Sequence, residues 1–178
     1  VLILGGDIED RAVRGRIGYL SELPYFPKYL KAREVLSYFA DIFGIDEKIK
    51  KHKIEEVLKI TGLDVRNDVR IKGFSKGMQG RLGLAQALLN DPELLLLDEP
   101  MSGLDPLGYK ETREIILGLK KAGKTIFFNS HILSEVEKIC DKVGVLHKGT
   151  MSEIKTVADI VKEHGDVEKY FVKIAGEN

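Results

Sequence analysis

The sequence has little cysteine, no excess of either charge and no apolar run long enough to cross a membrane. A single cysteine, Cys140, excludes an intrachain disulfide and a cysteine-rich metal site. The 28 Lys and Arg residues balance 28 Asp and Glu residues, so the chain has no net field toward nucleic acid, and no nucleic-acid partner is expected. No apolar run approaches the ~20 residues of a membrane-spanning helix. The 178 residues, 43% hydrophobic and 31% charged, predict one globular domain with at most a short appendage.

Short apolar runs predict the strands of an α/β fold. They occur at Val1–Leu4, Ile17–Leu20, Leu94–Leu97, Thr125–Asn129 and Val143–His147. The run of four leucines has no polar alternation, which predicts an inner, parallel strand buried on both faces. Helical stretches at 107–121 and 132–140 separate the last three runs. This alternation of strands and helices indicates a sheet with right-handed crossovers.

Residues 32–90 have a different pattern, typical of helices. Apolar residues recur at helical spacing over 32–60, with Gly44 and the charged stretch 46–53 separating two helices. A further helix is predicted over Ser75–Leu89, with the serine at an N-cap-like position. Two terminal helices are expected at 156–162 and 167–175. The predicted organisation is an α/β core at 1–30 and 91–155, a helical subdomain at 31–90 and a C-terminal helical extension at 156–178.

Two adjacent carboxylates follow the four leucines. Asp98 and Glu99 leave the strand at the carboxyl edge of the sheet, where α/β folds bind ligands. Successive residues diverge there, so one carboxylate can hold Mg²⁺ through water while the next polarises an attacking water. The alternative is a solvated acidic turn. Burial of the leucines disfavours that alternative, because it fixes the carboxylates in place.

The predicted helix opens with Ser75, Lys76 and Gly77 in sequence. Backbone amides, a hydroxyl and the positive end of a helix dipole can bind phosphate. A simple helix cap is the stronger alternative for this motif taken alone.

The dipeptide Asp105–Pro106 indicates a turn followed by a helix start. This structural role is enough to explain both residues without a function.

A histidine, His131, follows the predicted strand Thr125–Asn129. A lone histidine at a strand end is usually a structural polar residue. An acid and an imidazole on neighbouring strands form a less ordinary pair, which can act on a γ-phosphate or on an attacking water.

Taken in order, these motifs resemble the nucleotide-binding domain of ATP-binding cassette (ABC) transporters. Leu94–Glu99 is similar to the Walker B strand with its catalytic glutamate, Ser75–Arg81 to the signature motif, and Ser102–Asp105 to the D-loop. His131 falls at the switch histidine, and Ile17–Glu22 resembles the strand and turn of the Q-loop. The resemblance covers nearly the whole chain. It implies a P-loop NTPase-like, mostly parallel sheet with an inserted α-helical signature subdomain.

Three features depart from the family pattern. Met78 stands where the signature usually has glutamine, and Glu22 stands at the glutamine of the Q-loop. Both residues resemble those found at these positions in the ATP-binding subunits of ABC-2-type exporters, which work with a separate membrane subunit. No Gly-x-x-x-x-Gly-Lys-Ser/Thr loop occurs, and in the family this Walker A loop precedes the strand that Val1–Leu4 resembles. We therefore expect the chain to start after the Walker A helix and to be inactive alone.

The resemblance implies an ATP-hydrolysing subunit that couples ATP-driven dimer closure to export through a separate transmembrane permease. The resemblance also implies that Glu99 and His131 are catalytic and that Asp98 and Glu22 bind Mg²⁺. Contacts to ATP held by the partner subunit would come from Ser75, Lys76, Gly77, Met78 and Asp105. The dimer partner is a second nucleotide-binding domain, identical or different. The implied location is cytoplasmic, peripheral on the inner face of the cell membrane.

The residues Tyr25, Phe26 and Tyr29 offer an apolar surface for a coupling helix of the membrane subunit. Local packing of this loop is an equal alternative. Two other function classes stay open. A soluble, non-transport ABC ATPase usually has tandem cassettes, long insertions or basic arms, and none is visible here. A catalytically inactive regulatory cassette would not need the intact catalytic set.

Overall fold

The elements of the chain belong to two units, which divide between Asn129 and Ser130. A computed structural model describes residues 1–66 and 68–176. The helices and strands of the first unit are β1 (Leu2–Ile3), β2 (Gly6–Asp7), α1 (Arg11–Arg14), β3 (Ile17–Leu20), α2 (Ala32–Ile42), α3 (Glu47–Ile60), α4 (Lys76–Leu88), β4 (Leu94–Asp98), α5 (Pro106–Lys121) and β5 (Thr125–Asn129). Those of the second are α6 (Leu133–Ile139), β6 (Lys142–Val143), β7 (Leu146–His147), β8 (Thr150–Met151), β9 (Lys155–Thr156), α7 (Val157–His164) and α8 (Val167–Gly176).

A three-stranded parallel sheet in the order β3-β4-β5 organises the first unit. In the register of the sheet, Leu20 lies opposite Leu97 and Asp98 lies opposite Asn129. The carboxyl ends of the three strands therefore meet at one edge. The predicted α/β class with a parallel sheet is confirmed, and so is the central position of the leucine strand.

An ion pair joins the amino ends of β3 and β4. The Arg16 guanidinium donates two hydrogen bonds to the Glu93 carboxylate, at 2.6 and 2.8 Å. These bonds hold the pKa of Glu93 below its ordinary value. Both side chains are about half exposed, so this pair joins the strand ends but contributes little to stability, and the buried leucines of β4 set the register.

The two faces of the sheet differ in burial. Leu95 and Leu97 are buried, whereas the other two leucines of the strand are half-buried. On that less buried face, Tyr19 and Phe127 are 55% and 64% exposed. The expectation that the leucine run is buried on both faces is therefore wrong. Helix α4 packs on the face that carries Gly18 and Leu95, and within the described residues the opposite face keeps exposed aromatic side chains.

Helices α2, α3 and α4 pack on one another and share an apolar core. That core includes Val35, Leu36, Val57, Leu58 and Leu82. The predicted helices in this segment are confirmed, with one correction: the charged stretch 46–53 does not separate two helices. Helix α3 begins at Glu47, because the Asp46 carboxylate caps it by accepting from the Lys48 amide at 2.8 Å. The charged residues form the first half of that helix.

Two predicted strands do not join the parallel sheet. The segment Val1–Leu4 contributes only β1, which pairs antiparallel with β2, because Leu4 and Gly5 turn the chain at positive φ angles of 51° and 78°. The segment Val143–His147 divides between β6 and β7, which pair antiparallel with β9 and β8. The second pairing is a hairpin that turns at Lys148 and Gly149, also at positive φ.

Helices α6, α7 and α8 form the second unit together with strands β6 to β9. Their buried side chains include Val136, Ile139, Ile160, Val167 and Tyr170. The two predicted terminal helices are confirmed as α7 and α8, although the last two residues of the predicted extension 156–178 lie outside the described residues. The predicted subdivision of the chain stays a prediction. In residues 1–66 and 68–176, no helix has the length and hydropathy that a membrane-spanning helix needs.

The close approach of α4 to β3 gives a testable prediction at Gly18. A Cβ atom there would overlap the Ala87 carbonyl oxygen and reach Pro92 Cγ at 3.0 Å. We expect Gly18→Ala to lower the free energy of unfolding by about 2 kcal/mol, the usual cost of overpacking. Urea denaturation measures this change. The control is Gly118→Ala in α5, where a Cβ meets no atom within 4 Å. There we expect about 0.5 kcal/mol of stabilisation, and equal effects at both positions would contradict the packing argument.

Candidate nucleotide-binding site

Polar side chains gather at the carboxyl edge of the parallel sheet. Glu22 follows β3, Asp98 ends β4, Glu99 comes next, and Asn129 ends β5. Both acids of the β4 end are half-buried, whereas Glu22 and Asn129 are exposed. The register of the strands alone places these four residues at one edge, as expected for the acids.

Side-chain hydrogen bonds connect the residues of this edge. The Asn129 amide donates from Nδ2 to Asp98 Oδ1 at 2.9 Å, and its Oδ1 accepts from the Glu99 backbone N–H at 3.3 Å. The Ser102 hydroxyl donates to Glu22 Oε1 at 3.4 Å, at the long limit for such a bond. The β4–α5 loop is therefore bonded to both neighbouring strands: Glu99 contacts Asn129 at the end of β5, and Ser102 contacts Glu22 after β3.

The donor set at this edge fits Mg²⁺. Carboxylate and hydroxyl oxygens are the ligands this cation prefers, and it commonly uses one or two carboxylates together with substrate phosphates and water. Asp98, at the end of β4, and Glu22, in the loop after the neighbouring β3, offer such carboxylates. Within the part of the chain that the structure describes, no three His, Cys, Asp or Glu side chains come together as a metal-binding group, so a cation here would need substrate phosphates and water as its other ligands.

Ser75 caps helix α4. Its Oγ accepts from the Met78 backbone N–H at 3.2 Å, so the structural interpretation of this serine is confirmed. The cap uses a lone pair of the hydroxyl and leaves its O–H able to donate elsewhere. Whether Ser75 also contacts phosphate stays a prediction.

The start of α4 lies against the loop between β4 and α5. A side chain at Gly103 would meet the Lys76 ammonium, and one at Gly77 would reach Leu104 Cδ2 at 3.4 Å. Asp105 caps α5 by accepting from the Gly108 amide at 2.7 Å, with a proline at the first helical turn, as predicted. The structure thus brings the segment resembling the signature next to the segment resembling the D-loop.

His131 lies two residues beyond the end of β5, just before α6 and within the second unit. Strands β4 and β5 are adjacent and parallel, which was the expectation on which its pairing with the acids depended. The catalytic role of His131 stays a prediction.

The loop after β3 divides the three aromatic residues predicted as a docking surface. Tyr25 and Tyr29 are 86% and 71% exposed, and Leu23 beside them is 70% exposed. Phe26 is only 4% exposed and belongs to the core. Local packing therefore explains Phe26, whereas the two tyrosines leave an apolar surface open.

The side chains of Asn129 and Ser102 at this edge have no role that the sequence alone predicts. Asn129 had a recognisable signal, because it is a polar residue at the end of an apolar run that pairs with the leucine strand. Its position opposite Asp98 depends on the register between the two strands, which the sequence alone does not show. The partner of Ser102 depends on the path of the loop.

The α/β fold with its parallel sheet is of the P-loop NTPase type, as its likeness to a solved ATP-binding subunit shows. The family model described as ABC transporter matches residues 1–102, and the chain belongs to this family. A solved structure of an ATP binding subunit of an ABC transporter superposes with a TM-score of 0.80 at 29% sequence identity, covering 97% of this chain and 74% of that one.

Two curated relatives support the same assignment. An ABC transporter ATP-binding protein of Nostoc sp. (strain PCC 7120) is 54% identical over 152 residues, covering 84% of this chain and 45% of that protein. The bacitracin transport ATP-binding protein BcrA of Bacillus licheniformis is 50% identical over 139 residues, covering 78% of this chain and 44% of that protein. The chain thus spans about half the length of the curated relatives it matches.

Substitutions at Ser75 separate its capping role from phosphate binding. We expect Ser75→Ala to lower the free energy of unfolding by about 1 kcal/mol, because the Met78 amide loses its acceptor. Ser75→Asp keeps an acceptor and should keep stability close to the parent, while its negative charge opposes phosphate. Urea denaturation measures stability, and ATP titration of the two variants of the full-length protein measures phosphate binding. Loss of stability in Ser75→Asp equal to that in Ser75→Ala would contradict the capping assignment.

Proposed function

We propose that the protein to which this chain belongs is the ATP-hydrolysing subunit of an ABC exporter and acts through a separate transmembrane permease. The single observation that carries this proposal is that Glu22, Asp98 and Glu99 end or follow two adjacent parallel strands at the same carboxyl edge of the sheet. Membership of the family implies nucleotide binding and, in general, ATP hydrolysis. The likeness to BcrA, a bacitracin transport ATP-binding protein by name, favours a role in transport, and the resemblance of Glu22 and Met78 to ABC-2-type exporters favours export.

Within this proposal, Glu99 is the general base. Its carboxylate accepts a proton from water as the water oxygen attacks the γ-phosphorus and ADP leaves. Asp98 and Glu22 hold Mg²⁺, which neutralises developing charge on the phosphates when it is bound. His131 donates a hydrogen bond to the γ-phosphate. The half-burial of Glu99 supports its role, since a carboxylate partly withdrawn from water is a better-defined base than a mobile surface acid.

A second nucleotide-binding domain completes the site in this proposal. The helix start at Ser75, with Lys76, Gly77 and Met78, binds the triphosphate held by the partner, and Asp105 lies at the same interface. Two observations support this arrangement. The backbone amides and positive dipole end of α4 favour an anion, and Lys76 lies against Gly103 beside the D-loop segment, which adds positive charge there.

The proposed membrane contact is the apolar surface of Leu23, Tyr25 and Tyr29. These three side chains are at least 70% exposed and follow Glu22 in the loop after β3. A permease helix bound there would sense movement of the nucleotide edge through one short loop. The protein would then be cytoplasmic and peripheral on the inner face of the cell membrane.

Replacement of the general base tests the enzymatic part of the proposal. In the full-length protein we expect Glu99→Gln to bind ATP with unchanged affinity and to hydrolyse it at least about 100-fold more slowly, because a positioned base contributes about 10²–10⁴-fold. Steady-state phosphate release and nucleotide titration measure the two properties.

The matched control is Glu93→Gln at the opposite end of β4. Glu93 pairs with Arg16 on the amino edge of the sheet, away from the proposed site. We expect this variant to keep the parental hydrolysis rate. Hydrolysis by Glu99→Gln at the rate of Glu93→Gln would remove Glu99 from the mechanism.

A further inference from the structure

The side chain of Asn129 makes two different contacts with the acidic pair. Its Nδ2 donates to the Asp98 carboxylate at 2.9 Å, and its Oδ1 accepts from the Glu99 backbone N–H at 3.3 Å. One planar amide therefore links both acids to the end of the neighbouring strand. The register of β4 and β5 places Asn129 directly opposite Asp98, so the contacts need no reach from a long side chain.

An amide is well suited to this position. It carries a donor and an acceptor on one rigid group, whereas a carboxylate has only acceptors and a leucine has neither. Aspartate at 129 could still accept from the Glu99 amide, but it would set a second negative charge against Asp98. The two contacts can thus be separated by substitution.

The contact between the Asn129 oxygen and the Glu99 amide occurs at a residue with an unusual backbone conformation. Glu99 has a φ of +46°, in the left-handed region that side-chain-bearing residues rarely adopt. Such a conformation costs free energy and persists only where neighbouring groups hold it. The Asn129 oxygen bonds to the amide of this very residue, so it stabilises the conformation that sets the direction of the Glu99 side chain.

We propose that Asn129 is a positioning residue for the acidic pair, holding the left-handed backbone of Glu99 and the orientation of the Asp98 carboxylate. The inference rests on the proposed function for its catalytic consequence, but the positioning itself concerns only groups of this chain. Asn129 acts through Glu99 and Asp98, and it lowers the barrier by keeping the base and the cation-binding carboxylate in fixed directions.

Kinetics of the full-length protein test the catalytic consequence. We expect Asn129→Leu to lower kcat for ATP hydrolysis about 10-fold or more while KM for ATP stays within about twofold, because a misdirected base impairs the transition state rather than binding. The control is Thr125→Val, on the same face at the other end of β5, which should leave both constants unchanged. A kcat for Asn129→Leu within twofold of the parent would overturn the proposal.

Hydrogen exchange at the Glu99 amide tests the positioning without any activity. In the nucleotide-free protein we expect Asn129→Leu to accelerate this exchange about fivefold or more, since the amide loses its acceptor. Asn129→Asp keeps that acceptor and should stay within about twofold of the parent. Unchanged exchange in Asn129→Leu would overturn the proposal. Faster exchange in a protein that hydrolyses no ATP would instead leave the positioning standing and defeat the proposed function.

Discussion

The parallel pairing of β3, β4 and β5 is the constraint on which the rest of this protein depends. Because Leu20 lies opposite Leu97 and Asp98 opposite Asn129, three strands end at the same level. A slip of one residue in either pair would turn every side chain of a strand to the other face. The buried Leu95 and Leu97 resist such a slip, since it would expose them to water. The geometry of the acidic edge is thus a consequence of apolar packing further down the strands.

The acidic edge also shows how stability and function share residues in this chain. Ser75 and Asp105 cap helices and are at the same time the residues proposed to meet the partner's nucleotide. A cap fixes a side chain at a helix start, where backbone amides and the dipole already favour an anion. Glu99 shows the reverse relation, because its left-handed backbone costs stability at the position where the proposed mechanism needs a directed carboxylate.

Much of this fold follows from sequence patterns, and the failures have physical causes. The strands 17–20 and 125–129 and the helix cap at Ser75 are predictable because apolar periodicity and capping chemistry are local. Local patterns could not show that Val143–His147 divides between two antiparallel pairs, since pairing partners are distant or set by turns. The four leucines overestimate the burial of their strand, because the sequence does not show that one face of the sheet stays partly exposed within the described residues. The contacts of Asn129 depend on the exact register of β4 and β5, which local patterns do not give. The roles of the site residues stay predictions.

The most direct test of the central claim is a structure of the full-length protein with Mg²⁺ and a non-hydrolysable ATP analogue. We expect the triphosphate to lie at the carboxyl edge of β3, β4 and β5, with Asp98 and Glu22 turned toward the metal and Glu99 toward the γ-phosphate. A nucleotide bound elsewhere, with these three carboxylates facing solvent alone, would contradict it.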